Sequence, residues 1–117
     1  FLIVCEMYNL VPYIEIGEGN YKGFEIIFQS LDNYEGMREK AKIISSDKGS
    51  LLGLRELDKN IELWYHAESV TDENIKFCKE NGFTLYFNGT EYVEKEGTGI
   101  EKAQEAGINL AFALCIL

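Results

Sequence analysis

The chain has one histidine and one tryptophan, and they stand two residues apart, as His66 and Trp64, in the run Ile61–Glu68 (IELWYHAE). Alternate residues of a strand project to the same face. Glu62, Trp64, His66 and Glu68 therefore share one side if the run is a strand. An imidazole beside carboxylates suits a general base or a pH-sensitive group. No serine, cysteine or aspartate nucleophile is tied to His66 by spacing, so no catalytic residue is assigned. A two-residue turn at Lys59-Asn60 would set Arg55 opposite Trp64 on a neighbouring strand. Arg55, Trp64, His66 and Glu68 are then the candidate binding residues, with Ile27, Gln29 and Tyr86 on the same face by parity. A large aromatic among charged groups on an open sheet fits a partner surface or a small-molecule site.

Three weaker constellations stand beside it. Gly97-Thr98-Gly99 precedes a helix-like segment, where free backbone amides can hold an anion. It lacks the full dinucleotide or P-loop pattern, and Glu96 and Glu101 would repel a phosphate, so the anion signal is weak and capping alone explains Thr98. Glu91, Glu94 and Glu96, like Glu15 and Glu18, form acidic edges without the spacing of a calcium loop. They read as solvated strand edges that resist pairing. The cysteines at 5, 78 and 115 are odd in number and widely spaced, with no metal-ligand pattern. They fit buried thiols in a reducing compartment. No metal or cofactor is expected.

The composition narrows the partners. At 117 residues, 46% of them apolar, one domain over 1–117 with an ordinary core is expected. The net charge of −9 opposes phosphate backbones and anionic lipid, which excludes nucleic acid and membrane surfaces as partners. No run approaches the ~20 apolar residues of a membrane helix, and no basic segment precedes the apolar start, so a cytoplasmic protein is expected.

The elements that must position these residues follow from periodicity and caps. FLIVCEMY and VPYIEI read as one or two strands, followed by a glycine-bearing turn through Gly17, Gly19 and Gly23. Phe24–Ser30 alternates like a strand. Asp32 with Glu35 opens a helix running to about Ile44, ended by Ser45–Gly49. Ser50–Leu57 and Ile61–Glu68 read as a hairpin. Thr71, with Asp72 and Glu73 behind it, caps a helix that Asn81-Gly82 ends. Thr84–Phe87 is a strand, and Asn88-Gly89 a hairpin turn into Thr90–Lys95. Thr98 with Glu101 opens a last helix. It is read as continuing to Leu117, because Ala and Leu dominate there; the alternative is a helix ending at Gly107 followed by a strand.

Residues 24–87 thus read strand, helix, strand, strand, helix, strand. That order predicts an α+β fold with a ferredoxin-like split βαβ core. Extra N-terminal strands precede the core, and a C-terminal hairpin strand and a third helix follow it. The expected function is a non-catalytic module whose open sheet face contacts another copy of itself or a second protein. The alternative is a small-molecule-binding domain, or an enzyme, with its site around Arg55, Trp64, His66 and Glu68.

Overall fold

Among the described residues every strand follows a helix, and the strand pairs with a defined register are parallel. The computed structural model describes residues 1–17, 23–88 and 99–113. Among them are six helices: α1 (Leu2–Tyr8), α2 (Phe24–Asp32), α3 (Met37–Lys40), α4 (Lys48–Leu57), α5 (Asp72–Asn81) and α6 (Ile100–Glu105). The strands are β1 (Tyr13–Glu15), β2 (Lys42–Ser45), β3 (Glu62–His66), β4 (Thr84–Asn88) and β5 (Leu110–Ala113). Their hydrogen-bonded order is β1-β2-β3-β4-β5. β1 pairs with β2, β3 with β4 and β4 with β5, all in parallel.

This corrects the ferredoxin-like expectation, whose sheet is antiparallel. The α+β reading survives only in its coarse form, a mixture of helices and one sheet. The physical reason lies in residues 48–57. They form a helix, so β3 is reached by a crossover and not by a hairpin, and crossovers place strands in parallel. Asp47 is the N-cap, accepting from Ser50 N at 3.1 Å and from Ser50 Oγ at 2.6 Å. The Ser45–Gly49 cluster, read as a helix end, therefore starts one. Leu51 and Leu54 are buried while Leu52 is exposed, a three-residue spacing rather than an alternation.

The same substitution of period occurs twice more. Phe24, Phe28 and Leu31 are the buried face of α2, and Ile26 is exposed. α1 ends at Asn9, left-handed at φ 53°, with Leu10 N donating to Cys5 O at 2.8 Å. Both segments were expected as strands. The helix expected up to Ile44 is instead the short α3 followed by β2, where Ile43 and Ser45 are buried. The last helix stops early as well. Gly107 takes φ 77° and β5 follows, so the segment read as continuous helix is helix then strand. The hairpin through Asn88-Gly89 and Thr90–Lys95 lies outside the described residues.

By contrast, α5 forms as expected. Thr71 accepts from Asn74 N at 3.2 Å, and Gly82 closes the helix at φ 69°. Val70 and Ile75, on either side of the cap, are both buried, as a hydrophobic staple requires.

Two compact units divide the chain, Phe1–Leu63 and Trp64–Leu117. In the first, the core is built from Phe24, Phe28, Leu31, Met37, Ile43, Leu51, Leu54 and Leu63. In the second, it is built from Ala67, Ile75, Cys78, Phe83, Leu85, Phe87 and Ala103. α5 and α6 pack against each other, and Lys102 Nζ reaches Asp72 Oδ1 at 3.3 Å.

Candidate binding face

β3 sorts its side chains by alternation. Tyr65 turns toward α5, where its ring meets Phe77 edge-on at 5.3 Å, and Phe77 meets Phe83 at 5.5 Å. Tyr65 is in register with Leu85, and Leu85 with Leu110, so these residues form the helix-facing layer. Trp64 and His66 fall on the other side with Tyr86, which is in register with His66. Tyr86 lies 5.7 Å from the Trp64 ring, tilted by 37°, and 4.8 Å from the His66 ring, tilted by 54°. All three are half-buried. Such tilted ring contacts add about 0.5–1.5 kcal/mol each beyond the area they bury. The grouping of Trp64, His66 and Tyr86 on one face is what alternation had implied.

Arg55 and Glu68 stand outside the strands β3 and β4. Arg55 is on α4, not on a strand. Its Nη1 donates to Ile61 O at 2.8 Å, which ties the end of α4 to the start of β3. Burial pulls its guanidinium below the ordinary arginine value, against the opposing pull of the Asp58 charge. Glu68 lies beyond the end of β3 and is exposed. Ile27 and Gln29, placed on the sheet face by parity, are on α2. Of the anion-binding residues, Gly97 and Thr98 lie outside the described residues. Gly99 is the residue before α6, left-handed at φ 76°.

One cluster escaped the sequence reading. Arg38 forks onto Asp32 through Nε and Nη2, reaches Asp58 Oδ2 through Nη1 at 3.1 Å, and lies 4.5 Å over the Phe28 ring. Its pKa is raised, first by the hydrogen bond to Asp32. Asp58 accepts from the backbone N–H of Asn60 at 2.8 Å and of Ile61 at 3.2 Å. The Asn60 bond is the main cause holding its carboxyl below the usual range, Arg38 and Ile61 adding to it while burial opposes. Partners 20 residues apart in sequence leave no periodic signal. Nearby, Lys42 pairs with Glu62 between β2 and β3.

Asp58 gives a pH prediction. Its pKa is lower folded than unfolded, so its contribution is present above the ordinary carboxylate value of about 4. That contribution is lost as the pH falls through the lower folded value. Asp58→Asn is expected to lose about 1–3 kcal/mol at pH 7 and to narrow the stability gap between pH 7 and pH 3. Urea titrations of both proteins at the two pH values check this.

Among the described residues, no group of three or more His, Cys, Asp or Glu side chains converges as a metal site. Nor is any helix there long and apolar enough to cross a membrane. Cys5 and Cys78 are buried free thiols; Cys115 lies outside the described residues. No protein-family model matches the chain, and no curated protein matches it.

Proposed function

We propose that this protein is a non-catalytic binding module, and that the Trp64–His66–Tyr86 face is where another polypeptide docks. The observation that carries the reading is the aromatic trio itself. Three adjacent rings, all half-buried, lie on the side of the strands opposite α5. Parallel sheets are normally covered on both faces, and in the second unit α5 and α6 pack together, α5 on the Tyr65 side. Tryptophan and tyrosine are also the side chains that anchor protein contacts, each with a large apolar area and a polar handle. The partner is a second copy or another protein, in keeping with the acidic charge that disfavours nucleic acid.

Trp64→Ala tests it. A buried anchor of this type is expected to cost 2 kcal/mol or more of binding, about 30-fold in affinity. Native mass spectrometry against light scattering reads the loss. An assembly unchanged by Trp64→Ala, or a wild-type protein that captures no partner chain, counts against the reading.

A second reading has a specific observation behind it. His66 is the last residue of β3, and in parallel α/β sheets small molecules bind at the carboxyl ends of the strands. A small-molecule site there would draw on His66, Tyr86 and Glu68. A ligand carried through purification, seen as added mass in the same spectra, would favour it over docking.

A further inference from the structure

In the second unit the strands β3, β4 and β5 lie side by side in parallel, joined through α5 and α6. Right-handed crossovers that step the same way across a sheet leave their helices on one side of it. α5 and α6 accordingly pack together, with α5 on the Tyr65 side. The opposite side carries Trp64, His66 and Tyr86, with Thr84 and Ala111 beside them through the register. None of these five is an acid, a lysine or an arginine. Charge therefore reaches the face only from its margins.

Those margins are acidic. Among the described residues of this unit the lysines are Lys76 and Lys79 on α5 and Lys102 on α6, all in the helix layer, and there is no arginine. The segment that leaves β3 carries Glu68, Asp72 and Glu73, all exposed. Asp72 is met by Lys102 at 3.3 Å. Glu62, earlier in β3, is already paired with Lys42. Glu68, two residues beyond His66, is the carboxylate left to a partner that approaches the rings. The net charge of −9 acts in the same sense, repelling a second copy and drawing in a basic chain. Arginine suits such a surface better than lysine, because a guanidinium lies flat on an aromatic ring while it pairs with a carboxylate.

We infer that the partner of the Trp64–His66–Tyr86 face is a basic polypeptide segment, with an arginine stacked on the rings and paired with Glu68. The inference rests on the reading of that face as a docking site, and it adds the chemistry of what docks.

Trp64 is the chain's only tryptophan, so its emission reports on this face for any tryptophan-free peptide. Three short glycine–leucine peptides serve as probes, alike except for arginine, citrulline or glutamate at alternate positions. The arginine peptide should shift the emission and bind at least tenfold tighter than the citrulline peptide, which keeps the shape without the charge. The glutamate peptide should not bind. Affinity for the arginine peptide should fall as salt is raised. Glu68→Gln is expected to weaken it about twofold to fivefold, the range for one exposed ion pair. Glu80→Gln removes the same charge from α5, where Glu80 is exposed, and should leave the affinity unchanged. Calorimetry with Trp64→Ala, or with Tyr86→Ala if that variant melts early, should show a loss of at least tenfold. Arginine and citrulline peptides that bind equally, and are lost in Trp64→Ala, overturn the basic partner while docking stands. A dimer that Trp64→Ala dissolves does the same, since a second copy would then occupy the face. Equal weakening by Glu68→Gln and Glu80→Gln also overturns it, because net charge alone would be acting. If no peptide binds and the Trp64 emission stays fixed, the docking reading fails together with the inference.

Discussion

Leu85→Ala is expected to destabilise the protein by about 2–5 kcal/mol, the range for removing a buried leucine and leaving its cavity. Leu85, the second residue of β4, is fully buried, with Tyr65 and Leu110 as its register partners on either side. Strand backbones on both sides restrict collapse around the lost methyl groups, which favours the upper half of that range. Total stabilities of domains this size are ~5–15 kcal/mol, so the variant would sit close to unfolding at ambient temperature. Urea denaturation of wild type and variant measures the difference. A loss below about 1 kcal/mol would mean that the β4 layer repacks freely, against its place in the core.

Gly99→Ala is expected to cost a comparable amount by a different route. An alanine Cβ there would stand 2.3 Å from Val70 O, a backbone atom in the turn that leads into α5. The φ of 76° adds the penalty of left-handed backbone for a residue with a side chain. The strained conformation costs about 1–3 kcal/mol, and overpacking against rigid backbone about as much again. Gly107→Ala is the control. It has the same hand of backbone, φ 77°, but nothing within 4 Å of an added Cβ, so it carries the conformational cost alone. A melting temperature for Gly99→Ala lying well below that of Gly107→Ala isolates the contact with Val70.

What could be read from sequence was whatever a single turn of chain satisfies by itself. Thr71 caps α5 and Gly82 ends it through bonds formed within a few residues, and the residue types announce both. The alternation of β3 likewise placed Trp64 and His66 opposite Tyr65 without knowledge of the partner strand. The errors fall where two periods fit the same short run. Leu52 and Leu54 alternate, and Leu51 and Leu54 lie one helical turn apart; burial chose the second pair. Phe24, Ile26 and Phe28 posed the same ambiguity in α2. That choice is tertiary, set by which strand the segment must cross over to reach, and short apolar runs do not encode it. Arg55 was assigned to the wrong kind of element as a direct result, since Ser50–Leu57 lies in helix α4 and not in a strand. Leu110–Ala113 illustrates a further limit. Alanine and leucine favour helix, but pairing with β4 overrides so weak a preference.

The winding of β3, β4 and β5 also bears on how a site can arise here. Among the described residues each of these strands lies beside its predecessor in the chain, without a reversal of order. In open parallel sheets, ligands settle in the crevice formed where strand order reverses, between helices that lead away to opposite faces. A run of strands without a reversal has no such built-in crevice. Specificity in the second unit then falls to the segments that leave the strand ends, such as residues 67–71 with Glu68 between β3 and the Thr71 cap. Those segments can change while the hydrogen-bonded frame beneath them stays fixed. Recognition in this unit can therefore evolve separately from its folding stability.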